Sequence, residues 1–210
     1  GLVNLAEVPS EDLEWHGHND FYQGFINATT AWLYGCCAAN GALLGIGERT
    51  GNTPVEALVM EYLALRGAKD NIDTTIITDI AQYFEKEIGY KIPANQPFVG
   101  KNFNVTSAGI HADGLMKDEE IYNVFDTAKL LKKKIAVAIN DKSGVAGIAQ
   151  WINLNLGLDK DKMVTKDNPG VAKLKEWTDS EYAKGRTTAI SDPEIIDKVK
   201  KFLPELFKSY

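Results

Sequence analysis

Histidine is nearly absent from this chain, with three in 210 residues, and cysteine is scarcer still, present only as the adjacent pair Cys36 and Cys37. Two neighbouring cysteines supply no framework of paired spacings. That excludes a disulfide-stapled fold and fits a reducing, cytoplasmic compartment. An excess of positive charge is also missing. With 23 Lys and Arg against 29 Asp and Glu, the net charge is −6, which argues against a general affinity for nucleic acid or anionic membrane. The one basic cluster, Lys129 with Lys132, Lys133 and Lys134, reads as a solvated helix end. The opening "GLVNLAEVPSEDLEW" has neither the basic start nor the apolar core of a signal peptide. A long apolar run is lacking as well. Phe21 to Gly47 carries no charged side chain and is long enough to cross a bilayer. Five glycines together with Asn27, Thr29, Thr30 and Asn40 break it into short blocks, so a buried helix followed by a buried strand is expected, in a soluble protein with no membrane partner. What is present is ordinary: 44% hydrophobic and 25% charged residues, the balance of a globular protein.

The order of elements predicts an α/β beginning and a mainly helical remainder. Residues 1 to about 67 alternate strand, helix, strand, helix, the rhythm of parallel α/β structure. "LEWHGHND" is the first expected strand, "FINATTAWLYGCCAAN" a helix, "ALLGIG" a second strand, and a helix runs from near Pro54 to Gly67. Proline in the first turn and glycine just past the end are the expected punctuation. Residues 68–75 form a polar connector. Ile77, Ile80, Ala81, Phe84 and Ile88 then recur at helical spacing, Gly89 closes that helix, and "KIPANQPFVG" is a two-proline loop. A helical region extends over 76–138, where "IAVAIN" reads as a strand or extended link. A second covers 139–210, with helices in "DKSGVAGIAQWINLNLGL" and "ISDPEIIDKVKKFLPELF" separated by a polar, charged stretch. Asp141 or Ser143 is the expected cap of the first of these. Two strands and two helices are too few for a parallel sheet covered on both faces, so the remaining strands are expected from elsewhere and the chain reads as a C-terminal piece.

Two of the three histidines, His16 and His18, alternate in "EWHGHND". Alternation is the strand period, so both rings leave one face. Two imidazoles so placed suit a divalent metal, and they equally suit a solvated strand edge. After one intervening helix, "GIGERTGN" brings Glu48, Arg49 and Asn52 among Gly45, Gly47 and Gly51. In parallel α/β architectures, sites form outside the carboxyl ends of the strands, and a glycine-rich loop there lets a ligand approach the backbone. Taken alone, the same loop is a tight turn with a Glu–Arg surface pair. His111 and Tyr122, considered singly, read as a helix-surface histidine and a packing residue.

The ordered set "HGHND", "LLGIGERTGNTPVE", "GIHADGLMKDEEIY" and "DKSGVAG" resembles the acetyl-CoA-dependent Claisen condensing enzymes: isopropylmalate, homocitrate and Re-type citrate synthases. The resemblance spans almost the whole chain apart from the lysine-rich stretch near 158–187. It implies that residues 1–67 are the last two strand–helix units of a TIM (β/α)8 barrel, followed by two small, mainly helical subdomains. It further implies that His16 and His18 bind a metal on the seventh strand, and that Glu48, Arg49 and Asn52 shape the site. His111, with Tyr122 beside it, would be placed over a partner's active site in a homodimer with swapped subdomains. Isopropylmalate synthases carry asparagine where Leu44 stands here, and they continue into a regulatory domain, whereas this chain stops at "FLPELFKSY". Both points favour the homocitrate and Re-citrate branches, with Re-citrate synthase the nearer.

The implied reaction joins the methyl carbon of acetyl-CoA to the keto carbon of a 2-oxo acid and then hydrolyses the thioester. Two imidazoles and a carboxylate from a strand absent here would chelate Mn2+, Mg2+, Co2+ or Zn2+, leaving open positions for the 2-oxo acid. Oxaloacetate to citrate is the preferred reading. Homocitrate synthase acting on 2-oxoglutarate and 2-isopropylmalate synthase acting on 2-oxoisovalerate are the alternatives. A metal-dependent barrel lyase or a biotin-linked carboxyltransferase could share the histidine pair but is not expected to carry the His111 element. A reading of another class is a non-catalytic fragment or dimerisation piece, and the isolated chain is expected to be inactive.

Overall fold

The computed structural model describes residues 1–67, 71–106 and 123–207. His111 and Tyr122 therefore lie outside the described residues. The chain divides into two compact units, Gly1–Phe103 and Asn104–Tyr210.

The first unit begins with a short helix α1 (Leu2–Ala6) and then alternates as expected: β1 (Glu14–Trp15), α2 (Gly24–Leu33), β2 (Ala38–Ala39), α3 (Val55–Arg66) and α4 (Ile76–Tyr83). β1 and β2 pair in parallel, Glu14 opposite Ala38 and Trp15 opposite Ala39, with α2 as the crossover that parallel pairing requires. Both strands are shorter than the sequence suggests. "LEWHGHND" pairs only at Glu14 and Trp15, and "ALLGIG" is not a strand. The pairing falls earlier, at Ala38–Ala39, while Leu43–Gly45 turns as a 3-10 helix. The reason is local. Leu44 has φ 58° and Gly45 φ 67°, left-handed values incompatible with extended backbone. The Leu44 amide donates to the Glu56 carboxylate at 3.1 Å rather than to a neighbouring strand.

α3 starts directly after Pro54 and stops at Gly67 with φ 70°, matching the sequence punctuation. α4 runs on through a π-helical turn, Phe84–Ile88, to Gly89 at φ 73°. α2 departs from its expected burial: Gly24, Ala28 and Thr29 are buried, but Ile26 and Leu33 are exposed. Strands of two residues offer too little sheet for a helix to cover.

In the second unit β3 (Val105–Thr106) pairs in parallel with β4 (Ala136–Val137), so the extended link in "IAVAIN" is a strand. Helices α5 (Thr127–Leu131), α6 (Val145–Leu156), α7 (Pro169–Ala183) and α8 (Asp192–Phe202) follow among the described residues. α7 occupies the stretch expected to be a polar connection. Its buried residues Val171, Leu174 and Thr178 fall at helical spacing, and Asn168 caps its start by accepting from the Gly170 amide at 2.8 Å. α8 carries a capping box between Ser191 and Glu194 with proline in its first turn. Neither Asp141 nor Ser143 caps α6, whose N-cap is Gly144. Ser143 is buried instead, its hydroxyl accepting from the Asn140 amide at 3.0 Å.

The core of this unit is contributed by Trp151 and Ile152 of α6, Leu174 of α7, and Ile195 and Val199 of α8. Trp151 satisfies its indole N–H on Asp192 Oδ1 at 3.0 Å, as a buried indole must. Among the described residues no helix is long and apolar enough to cross a membrane.

Candidate active site: a histidine pair above a glycine-rich loop

β1 ends just before His16, so the histidine pair leaves the sheet where the chain passes from strand to helix. The two rings lie with centroids 5.4 Å apart and nearly perpendicular, at 84°. His16 is exposed and His18 half-buried. Each ring is held by its Nδ1. That of His18 lies 3.2 Å from the Glu48 backbone oxygen, and that of His16 lies 3.1 Å from Asn40 Oδ1. A carbonyl oxygen only accepts, so His18 Nδ1 carries the proton and donates. The orientation of Asn40 follows from its other end, where its Nδ2 donates to Glu14 Oε1 at 3.2 Å. A carboxylate accepts and an amide nitrogen donates, so Asn40 Oδ1 faces His16 and the His16 Nδ1 also donates. In the neutral ring this tautomer leaves the lone pair on Nε2, the arrangement of an imidazole metal ligand.

The loop that presents Glu48 is built by its glycines. Gly51 has φ 86°, and a Cβ there would stand 2.3 Å from the Gly45 oxygen. A Cβ on Gly47 would press on the Asn52 side chain at 2.6 Å. The close turn is stitched to the histidine segment: Asn19 N donates to Gly51 O at 3.0 Å, and His18 bridges Asn52 in antiparallel fashion. Asn52 Nδ2 donates to Ile46 O at 3.2 Å, while its Oδ1 is buried with no hydrogen-bond partner among the described residues. Arg49, at φ 54°, reaches back to Asp20, with Nε and Nη2 donating at 3.4 and 3.1 Å. That guanidinium holds the Asp20 carboxyl below its ordinary range. The surface pair of the loop is therefore Arg49–Asp20 rather than Glu48–Arg49.

Beneath the loop, Glu56 is almost fully buried. It accepts from the Leu44 amide through Oε2, and burial pushes its carboxyl up from the usual value. Gln96 closes the other side of Leu44, donating to its oxygen at 3.3 Å. The left-handed Leu44 is thus clamped at both backbone groups.

Of the residues singled out in the sequence, His16, His18, Glu48, Arg49 and Asn52 come together here. Sequence reasoning overlooked Asn40 and Glu14 as supports of His16, and Asp20 as the partner of Arg49. Their signal was position: Glu14 precedes His16 by one strand period, and Asn40 follows β2 by one residue. Among the described residues no group of three or more His, Cys, Asp or Glu could hold a metal ion. The two imidazoles nevertheless fit a divalent cation as part of a ligand set, because each ring donates through Nδ1 and its Nε2 makes no hydrogen bond to the described residues in this arrangement.

Comparison with known proteins gives this geometry a context. Residues 3–84 match the HMGL-like family. The chain is 61% identical over 208 residues to a citrate (Re)-synthase of Syntrophus aciditrophicus, with 99% of this chain and 33% of that protein aligned. It is 51% identical to a citrate (Re)-synthase of Clostridium kluyveri, over 99% of this chain and 46% of that protein. A 2-phosphinomethylmalate synthase of Streptomyces hygroscopicus is 35% identical over 95% of this chain and 44% of its own length. The chain spans a third to under half of these curated relatives. The match to the HMGL-like family covers residues 3–84, which include the histidine pair and its loop, and the similarity to citrate (Re)-synthases continues through the second unit.

Proposed function

We propose that this chain is part of a metal-dependent acyltransferase that condenses acetyl-CoA with oxaloacetate and hydrolyses the thioester to give citrate. The observation that carries the reading is the pair of anchored imidazoles, each donating from Nδ1 and so offering Nε2, in a chain 61% identical to a citrate (Re)-synthase. In this reading residues 1–67 are the last two units of a TIM barrel, 68–75 a connector, and 76–138 and 139–210 two subdomains that cross to a partner in a homodimer.

His16 and His18 would hold the divalent ion through Nε2. When bound, that ion supplies Lewis-acid polarisation of the 2-oxo acid carbonyl. The glycine-rich loop keeps His18 in place through the Glu48 oxygen. Arg49 occupies the Asp20 carboxylate and so removes a free anion from beside the imidazoles. Asn52, donating to the Ile46 oxygen, holds the turn closed beside the pair. His111 of the partner would take the methyl proton of acetyl-CoA, with Tyr122 orienting it. Leu44, standing where isopropylmalate synthases have asparagine, supports the citrate reading over that alternative.

The test is a chimera in which this chain replaces the corresponding segment of the Clostridium kluyveri citrate (Re)-synthase. Citrate is expected from oxaloacetate, acetyl-CoA and Mn2+, and His16→Ala/His18→Ala in the same chimera is expected to lose at least two orders of magnitude, in line with loss of metal chemistry. A double variant with unchanged citrate formation sinks the proposal.

A further inference from the structure

We propose that Asn40, clamped by Glu14, is a positioning residue that sets the tautomer of His16 and thereby its readiness to bind a divalent cation. The inference rests on the metal reading of the histidine pair, but its first test does not. The geometry is a three-residue relay: Glu14 Oε1 accepts from Asn40 Nδ2 at 3.2 Å, and Asn40 Oδ1 accepts from His16 Nδ1 at 3.1 Å.

The relay is built into the sheet. Asn40 follows β2 directly, and its amide donates to the Trp15 oxygen at 2.8 Å. The backbone of Asn40 is thus fixed to the residue between Glu14 and His16. Parallel register sets Glu14 opposite Ala38, two residues before Asn40, and alternation puts Glu14 and His16 on one face of the strand. The amide can therefore reach both.

Each member of the relay has a chemical duty. An asparagine alone could present either end to the ring, and with its nitrogen forward it would donate to Nδ1, leaving the proton on Nε2. The Glu14 carboxylate, which only accepts, excludes that orientation. The two histidines thus reach one state by different means: His18 through a main-chain carbonyl that no side-chain substitution removes, His16 through two replaceable side chains. Outer partners of this kind fix ring orientation and raise the affinity of metal-binding histidines by about 10–100-fold.

The test uses the full 210-residue chain, free of metal and labelled with 15N, at a pH where the rings are neutral. Long-range 1H–15N spectra of the imidazoles separate the two tautomers. His16 is expected to carry its proton on Nδ1 in the unaltered chain and in Asn40→Asp, which keeps an acceptor. In Asn40→Leu the proton is expected to move to Nε2. His18, anchored independently on Glu48, should keep its pattern in every variant and so reports that the loop is still folded. A His16 that bears the Nε2 proton in the unaltered chain overturns the inference, as does one indifferent to Asn40→Leu while His18 is in place. Mn2+ titration of the same samples separates the two ideas. A tautomer that follows Asn40 together with an Mn2+ affinity at least 10-fold weaker in Asn40→Leu supports both. A tautomer that follows Asn40 in a chain whose Mn2+ binding ignores His16→Ala/His18→Ala upholds the relay and defeats the metal reading.

Discussion

At the scale of single residues, the carboxyls of Glu194 and Glu56 pull in opposite directions. Glu194 receives both arms of Arg186, at 2.9 and 2.8 Å, and the Ser191 hydroxyl and amide at 2.7 and 2.9 Å. The Arg186 hydrogen bonds come first among the causes that hold its carboxyl at about 2, against an ordinary value of 4.5. A depressed folded value means stability that is full above 4.5 and lost as pH falls toward 2. The unfolding midpoint of the chain should drop through that window, and Glu194→Gln should lessen the drop. An unchanged slope in the variant would refute this. Glu56 is the reverse case. Burial raises its carboxyl, so its contribution is full below the ordinary carboxyl range and declines as pH rises through the folded value. Glu56→Ala leaves the Leu44 amide without its partner and should cost about 1–3 kcal/mol in urea denaturation. Glu56→Gln, which keeps an acceptor, should cost less and flatten the loss of stability at rising pH.

The chemistry of the site was legible at this scale where residue type and spacing coincide. His16 and His18 stand out because histidine is rare here and because they alternate. Asn40 and Glu14 are common residue types, and only the parallel register joins them to His16, a relation that no linear spacing expresses.

At the scale of elements, helices were more legible than strands. Pro54 and Gly67 bracket α3 in the sequence, and the structure keeps both as its boundaries. The strand expected in "ALLGIG" failed because a buried carboxylate twelve residues on claims the Leu44 amide, which hydrophobicity does not reveal. α7 was hidden by its charge: Lys173, Lys175 and Glu176 obscure the buried face of Val171, Leu174 and Thr178. Two glycines with positive φ, Gly51 in the loop and Gly67 at the end of α3, make an element-level prediction. A methyl group on Gly67 would have nothing within 4 Å among the described residues, whereas on Gly51 it would lie 2.3 Å from the Gly45 oxygen. Gly67→Ala should cost about 1–2 kcal/mol, the strain of the left-handed backbone alone. Gly51→Ala should cost more and should disturb the His18 imidazole signals, because the Glu48 oxygen that anchors His18 sits in the same turn. Equal destabilisation by the two variants would contradict the close-approach role of Gly51.

At the scale of the molecule, the first unit exposes much apolar surface: Phe21 is 84%, Tyr22 91% and Tyr34 83% accessible. The chain spans only 33% and 46% of its two citrate (Re)-synthase relatives, and in the proposed reading these side chains meet the remaining strands of the barrel. In that reading the two imidazoles and their loop need a further ligand, and the described residues offer no group of three or more His, Cys, Asp or Glu that could hold a metal ion. The isolated chain should therefore form no citrate from oxaloacetate, acetyl-CoA and Mn2+, and citrate appearing in that assay would show that no further residues are needed. The most direct measurement is calorimetric titration of Mn2+ into this chain beside its His16→Ala/His18→Ala variant. Binding that disappears with the two imidazoles is the expected result, and binding that survives their removal would contradict the histidine pair as a metal centre.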